Sequence, residues 1–375
     1  MQFRDIFGQD AVKQRLIQTV RESRISHAQL FHGHEGTGKL ALAIAYAQYI
    51  CCENQQEDDS CGFCPSCIKY AKLVHPDLHF FFPVAATKNN PKDPSSAKFL
   101  VDFRAAVLAN PYLDLNQWYE IIEMENKQGI INVNDCNEIL RALSLKSYES
   151  EFKIVIIWMV EKLFHAAGPK LLKILEEPPQ KTLFLLITEN PDQILRTILS
   201  RTQMVRIPRL SEDELVQGLI LRHQLDEPQA RYMASISNGS YSEARRLLIS
   251  GNSGMNYFPI FRNWMRLCFK NDHINICDWL EETAALGREK EKDLLTYSIS
   301  VIHECLKLNT RTVTSSFSDS EEGEFMMKFT RFINEKNYLK LYKEFNEAAW
   351  HIERNGNARI IFMDLSLSVM NLLKR

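Results

Sequence analysis

Four cysteines between residues 52 and 67 have the spacing of a metal site. They occur as Cys52-x8-Cys61-x2-Cys64-x2-Cys67, so two overlapping C-x-x-C steps and one distant thiol can close four ligands around a tetrahedral ion. Four thiolates favour Zn²⁺ or an iron–sulfur centre, and nothing else in the sequence indicates electron transfer. We therefore expect one structural Zn²⁺, with free or redox-active thiols as the alternative.

The other five cysteines carry weaker signals. Cys51 stands next to Cys52 and could compete with it as the first ligand. A chain without an export signal is not expected to be held together by disulfides. The remaining cysteines stand among apolar residues at helical spacing, which predicts that they belong to the hydrophobic core. They are Cys136, Cys268, Cys277 and Cys305.

A second motif, at residues 33–40, follows the pattern G-x-x-x-x-G-K of a phosphate-binding loop. Its glycines allow backbone N–H groups to wrap a phosphate, and Lys39 would reach the β- and γ-phosphates. The next residue should coordinate Mg²⁺ through a hydroxyl, but Leu40 offers no such ligand. The three glycines are Gly33, Gly36 and Gly38. The sequence leaves open whether this loop binds a nucleotide or phosphate without Mg²⁺.

An ATPase with such a loop also needs an acidic residue at the end of a later buried strand. The apolar run at residues 154–157 predicts that strand, but Trp158 and Met159 follow it. Neither side chain can bind Mg²⁺ or position the attacking water. The next acid, Glu161, is expected to lie at the start of the following helix. Because both the Mg²⁺-binding hydroxyl and the acid are missing, we predict that the chain does not hydrolyse ATP.

The elements that must position these residues alternate between strands and helices up to about residue 207. This order predicts an α/β domain with a parallel sheet over residues 1–207. Helices are expected at 132–145, with Leu140 facing inward, and at 163–175. Residues 84–128 are expected to be an insertion with two helices around Pro111, and we assign it no role from the sequence. Short strands are predicted at residues 27–32 and 78–82, and buried strands at 153–160 and 182–188.

After residue 207 every periodic segment is helical. Residues 208–250 are expected to form a small helical domain, which a capping box at Ser211 and Glu214 opens. Residues 251–375 are expected to form a larger helical domain, interrupted by a polar loop at residues 310–324.

Composition limits the class of protein. The 375 residues are 45% hydrophobic and 25% charged, with a net charge of −2, which is typical of a soluble globular protein. A protein that binds DNA alone through phosphate contacts would usually be basic. No apolar run of membrane-spanning length and no secretory signal is present, so we expect a cytoplasmic location.

Several segments together resemble the clamp-loader subunits of bacterial DNA polymerase III, the tau/gamma and delta-prime group. These segments occur in the same order in both: Phe7-Gly8-Gln9, Ser26-His27-Ala28, the phosphate loop, the four-cysteine module, Leu171 to Pro179, and Leu199-Ser200-Arg201. The resemblance covers residues 3 to 250. It implies an AAA+ fold of the P-loop type, in which 208–250 is a lid domain and 251–375 a collar that serves oligomerisation.

This chain departs from the active tau/gamma subunits at several positions. In these departures it resembles the delta-prime type, the rigid partner that does not hydrolyse ATP. Active tau/gamma subunits keep a Mg²⁺-binding threonine and an Asp-Glu pair, where this chain has Leu40 and Trp158-Met159. Residues 239–242 place a serine where the active subunits have a sensor arginine. An active tau/gamma-like ATPase with an unusual site is the first alternative. A zinc-bearing AAA+ protein outside replication is the second.

Ser200-Arg201-Thr202 matches the Ser-Arg-Cys motif of the same family, with Thr202 in place of cysteine. The resemblance implies that Arg201 acts in trans, as an arginine finger directed at the γ-phosphate of a neighbouring subunit. The alternative is an arginine that is ion-paired within its own domain. The resemblance also implies partners: tau/gamma and delta subunits in a hetero-oligomer and, through that complex, the sliding clamp and primer-template DNA.

Overall fold

Five strands form one sheet. The structure, a computed structural model, describes residues 1–87, 92–124, 129–252, 257–309, 321–354 and 356–373. The strands of these residues are β1 (Ala28–His32), β2 (Leu78–Phe81), β3 (Lys153–Trp158), β4 (Thr182–Thr188) and β5 (Gln203–Arg206). Their order is β2-β3-β4-β1-β5, and every neighbouring pair is parallel. The predicted parallel sheet is therefore confirmed.

The centre of this sheet is covered on both faces. Every residue of β3 and β4 is buried, as expected for continuous apolar strands in a parallel sheet. Because parallel strands end at the same edge, three parts of the chain meet there. They are the phosphate loop after β1, Trp158 at the end of β3, and Glu189 directly after β4.

The chain divides into two compact units, Met1–Arg245 and Arg246–Arg375. The helices that begin in the first unit are α1 (Asp10–Arg21), α2 (Lys39–Ile50), α3 (Pro65–Ala71), α4 (Leu100–Ala109), α5 (Leu115–Ile121), α6 (Val133–Ser144), α7 (Gly168–Glu176), α8 (Arg196–Leu199), α9 (Glu212–His223), α10 (Glu227–Ile236) and α11 (Tyr241–Asn252). Ser211 caps α9 in the predicted capping box with Glu214.

Within its described residues the second unit is helical. Its helices are α12 (Tyr257–Lys270), α13 (His273–Ala284), α14 (Arg288–Asn309), α15 (Glu321–Phe329), α16 (Glu335–Glu353) and α17 (Ala358–Leu373). Trp264 stacks on Trp279 at 4.7 Å between ring centroids in its core. No helix among the described residues of the chain is long and apolar enough to cross a membrane.

Several local expectations differ from the structure. Leu140 is 43% exposed, and Cys136 takes the buried place on that face of α6. Cys277 is exposed, because the buried stripe of α13 runs through Ile276, Trp279, Leu280 and Thr283. The other three cysteines expected in the core are buried. Of the loop expected at 310–324, residues 310–320 lie outside the described residues, and Glu321 begins α15.

The insertion contains the two helices expected around Pro111, namely α4 and α5. Residues 88–91 and 125–128 of this segment lie outside the described residues. Trp118 of α5 is fully buried, and its indole N–H donates to the carbonyl of Pro83 at 2.9 Å. The described part of the insertion is therefore anchored next to the carboxyl end of β2.

Candidate functional site

The four cysteines come together as predicted. The sulfur atoms of Cys52, Cys61, Cys64 and Cys67 all lie within 4.8 Å of one another, and those of Cys61 and Cys67 are 3.9 Å apart. A tetrahedral ion with metal–sulfur distances of about 2.3 Å holds its sulfurs about 3.8 Å apart. The residues therefore fit one metal ion with four thiolate ligands.

Short turns position these thiols. Gly62 adopts a φ of +81°, a conformation that glycine reaches without a steric penalty. Cys64 is the N-cap of α3, and its sulfur accepts the N–H of Cys67 at 3.4 Å. Pro65 opens the same helix, in the position where a missing N–H costs nothing. Backbone N–H groups of Cys61, Cys64 and Cys67 thus donate to sulfurs of the cluster.

The pKa values of the Cys61 and Cys51 thiols shift in opposite directions. Burial raises the pKa of Cys61, but N–H groups of Cys64 and Phe63 outweigh it and lower the value to about 7. Burial raises the pKa of Cys51 to about 11, and its sulfur accepts a hydrogen bond from the hydroxyl of Tyr70 at 3.2 Å. Cys51 lies outside the sulfur cluster, so the first cysteine of the cluster is Cys52.

Two glycines of the phosphate loop adopt left-handed backbone conformations. Gly36 and Gly38 have φ values of +72° and +81°, and Gly38 caps α2 at its N-terminus. Thr37 donates its hydroxyl to the carbonyl of His34 at 2.9 Å. Burial, together with the charges of Arg209 and Lys39, lowers the pKa of His34.

Lys39 is paired within the chain. Its ammonium lies 3.3 Å from a carboxylate oxygen of Glu189, and the Lys39 side chain is only 4% exposed. The same ammonium donates to the carbonyl of His34. The positive charge available to a phosphate is therefore already compensated. Glu189 was not identified from the sequence, although an acid directly after a buried strand was a usable signal.

The residues at the positions where metal ligands were expected are apolar and buried. Leu40 and Trp158 are each 3% exposed, and Met159 is also buried. Glu161 lies in a short 3₁₀ turn, Val160–Lys162, and not at the start of a helix as expected, because α7 begins only at Gly168. Its carboxylate accepts the N–H of Glu189 at 2.9 Å, and burial raises its pKa.

Arg201 lies at the surface just after α8. Its guanidinium pairs with Glu176 of α7 at 2.6 Å and donates to the carbonyl of Thr197 at 2.8 Å. The arginine side chain is 35% exposed. In this structure Arg201 is thus ion-paired within its own domain while its side chain stays accessible to solvent.

Comparison with known proteins shows that the chain is similar to subunits of DNA polymerase III. The model of a family described as DNA polymerase III, delta subunit, matches residues 8–211. A DNA polymerase III subunit delta' of Bacillus subtilis is 30% identical over 235 residues, which cover 61% of this chain and 56% of that protein. A subunit tau of the same organism is 27% identical over 252 residues, 66% of this chain and 37% of that protein. The matched region thus spans about half of the delta' relative and about a third of the tau relative.

Proposed function

The chain belongs to the DNA polymerase III delta subunit family, and from this premise we propose that it is a delta-prime-type clamp-loader subunit that does not hydrolyse ATP. The observation that carries the proposal is the state of the phosphate loop. Leu40 and Trp158 replace the Mg²⁺ ligands, and Glu189 neutralises Lys39. Phosphoryl transfer depends on a metal ion and a free lysine at these places, so the site lacks the parts that hydrolysis requires.

The domains take family roles in this proposal. The α/β domain of residues 1–207 is an AAA+ module, 208–250 its lid, and 251–375 a collar through which the subunit joins others. The partners are tau/gamma and delta subunits. Together they would open a sliding clamp and place it on primer-template DNA.

In this proposal the catalytic contribution of the subunit comes from Arg201. It acts in trans, on ATP that an adjacent motor subunit holds. Its exposure at the end of α8 supports this role, because a finger must leave its own domain surface to reach a partner's phosphate. A guanidinium can neutralise the charge that develops on the transferred phosphoryl group. The loop of its own domain gives such a residue no phosphate to stabilise.

The cysteine cluster holds one structural Zn²⁺ in this proposal. Four thiolates fill all positions of a tetrahedral ion, which leaves none open for substrate or water. Cys67 is fully buried and Cys52 and Cys64 are nearly so. The ion would therefore stabilise the segment between α2 and α3 and take no part in ATP chemistry.

Steady-state ATP hydrolysis by the purified full chain tests the proposal, with the Lys39→Ala variant as the matched control. We expect equal, background turnover for both proteins. Turnover of the wild type that Lys39→Ala abolishes would overturn the proposal.

A second candidate, an active tau/gamma-like ATPase subunit of the same complex, is favoured by the similarity to subunit tau. The same assay separates the two functions. This candidate requires Mg²⁺-dependent hydrolysis from a site in which the residue after Lys39 is apolar and buried.

A further inference from the structure

The turn between the two helices of the insertion lies against the phosphate loop. Tyr112 in this turn is only 2% exposed. Its ring is so close to Gly38 that a Cβ added there would lie 2.9 Å from a ring carbon. The cavity that remains between the loop, Tyr112 and Trp158 has a volume of about 10 Å³, which is space for roughly one water molecule. Ligand sites for small molecules usually have at least about 300 Å³.

Tyr112 is also fixed by hydrogen bonds from two distant segments. Its hydroxyl accepts the backbone N–H of Phe7 at 2.9 Å, and its backbone carbonyl accepts the hydroxyl of Ser242 at 2.6 Å. Its ring stacks on Phe7 at 5.3 Å with an interplanar angle of 11° and packs on Tyr241 at 4.6 Å. The guanidinium of Arg222 lies 4.8 Å from the Phe7 ring centre. This side chain therefore connects the N-terminal segment, the insertion, and helices α9 and α11.

The start of α11 contacts the phosphate loop directly. The N–H of Tyr241 donates to the carbonyl of Gly36 at 3.0 Å. A Cβ added at Gly36 would lie 2.2 Å from the hydroxyl of Ser240. The first residues of α11 therefore pack directly on the backbone of the loop at Gly36.

Helix α4 of the insertion packs on Trp158, the residue found where an acid was expected. Trp158 lies 5.7 Å from the ring of Phe103 in α4. Phe103 in turn stacks on Phe82 at 3.9 Å and meets Trp118 edge-on at 5.3 Å. Trp158 thus belongs to the aromatic core of the insertion, so the loss of the acid and the presence of the insertion are parts of one packing arrangement.

We propose that Pro111–Tyr112–Leu113 is an internal occupant of the phosphate loop, which takes the place of a nucleotide and ties the loop to α11. The inference rests on the proposed function: the phosphate loop is inactive, and the occupant explains why it stays closed. The arrangement of loop and α11 is then independent of ATP. The insertion acts as a built-in ligand of its own domain.

Amide hydrogen exchange and nucleotide binding by the full chain test this inference. We expect no binding of ATP to the wild type up to about 1 mM, with or without Mg²⁺, and no effect of ATP on the exchange of residues 36–42 and 240–245. In Tyr112→Ala the exchange of these amides should rise by about tenfold or more, because a buried ring that closes the site is lost. Exchange around Cys64 should not change.

Two further variants keep the test decisive. Tyr148→Ala makes the same chemical change at a side chain that is 81% exposed, and it should leave exchange at residues 36–42 unchanged. Tyr112→Phe keeps the ring and removes only the hydroxyl, so the Phe7 amide should exchange faster even if Tyr112→Ala does not fold.

Two of the opposite results would overturn the internal occupant, and a third would overturn the proposed function. If the wild type bound ATP and protected residues 36–42 without hydrolysing it, the internal occupant would be wrong and the proposed function would stand. Unchanged exchange in a folded Tyr112→Ala chain would equally remove the occupant. Hydrolysis of ATP that Lys39→Ala abolishes would instead overturn the proposed function.

Discussion

The guanidinium of Arg201 and the carboxylate of Glu176 form an ion pair of 2.6 Å between Nη2 and Oε1, with the two side chains 35% and 48% exposed. An exposed pair of this kind contributes only about 0–1 kcal/mol to stability. A phosphate offers a guanidinium a more highly charged acceptor with several oxygens. In the proposed role, Glu176 would orient Arg201 while the subunit is alone, and exchanging this partner for a phosphate would cost the arginine little.

Removing the guanidinium should impair the assembled complex and not the isolated chain. In a reconstituted clamp loader, Arg201→Ala should abolish turnover at the one adjacent ATP site, because a finger contributes roughly 10³–10⁵ in rate. Total clamp-dependent turnover then falls only in part. Arg201→Lys should restore it incompletely, since an ammonium lacks the planar fork. Arg196→Ala, at an exposed arginine of the short helix that precedes Arg201, is the matched control. Wild-type clamp loading by Arg201→Ala would leave Arg201 a structural residue.

Removing the charge of Glu176, the partner of Arg201, should not lower the ATP turnover of the complex. Glu176→Gln releases Arg201 and should lower the free energy of unfolding of the isolated chain by less than about 1 kcal/mol. ATP turnover of the complex should stay equal or rise by up to about fivefold, because the finger no longer has to leave a charged partner. Urea unfolding and turnover measured on the same variant check both parts. A fall in turnover like that of Arg201→Ala would show that Glu176 holds the finger in its working position.

The metal site predicts a difference between two adjacent cysteines. Cys52→Ser should reduce bound zinc from one per chain to nearly none and lower the Tm by about 5–10 °C, because binding of a structural metal contributes to folding. Cys51→Ser should keep one zinc per chain, since its sulfur contacts Tyr70 and lies outside the cluster. Metal analysis of protein purified without added zinc makes the comparison. Retention of zinc in Cys52→Ser with its loss in Cys51→Ser would exchange the two assignments.

The sequence predicted the fold best where the signal was local and continuous. Strand β4 has the bounds that were predicted, because all seven of its residues are apolar or buried. Strand β5 was missed, since only Val205 of its four residues is buried and pairing with β1 alone makes it a strand. The helix expected from residue 163 begins at Gly168, because Leu163 forms a bridge with Ile131 and Pro169 suits the first turn of a helix.

The difference between local and long-range signals also applies to the cysteine cluster and the phosphate loop. The four thiols lie within one short segment, so their spacing was sufficient to predict the cluster. Glu189 pairs with Lys39 across 150 residues, and Ser242 bonds Tyr112 across 130. These contacts depend on the order of the strands and on the path of the insertion, neither of which has a periodic pattern in the sequence. The motif therefore located the phosphate loop but not the residues that close it.

Stability should depend on pH through Glu161. Burial raises the pKa of this carboxyl above its unfolded value of about 4.3, so in the window between the two values the folded chain binds more protons. The free energy of unfolding must then fall as pH rises through that window. Glu161→Gln keeps an oxygen for the N–H of Glu189 and does not titrate. It should match the wild type at about pH 4 and be more stable at about pH 7. Chemical unfolding at both values tests this, with exposed Glu57→Gln as control; equal stability of Glu161→Gln and wild type at both values would contradict it.

Lys39 should be a structural residue in this chain. Its side chain is 4% exposed and that of Glu189 26% exposed, so removing one partner leaves a partly buried charge without compensation. Lys39→Met and Glu189→Gln should each lower the free energy of unfolding by about 1–3 kcal/mol. In the double variant neither charge is left alone, so its loss should be smaller than the sum of the two by about 1–2 kcal/mol. Urea unfolding of all four proteins closes this double-mutant cycle. A lysine kept for binding a nucleotide would behave differently: the single Lys39→Met variant would lose ATP binding with little change in stability, and the cycle would show additive effects.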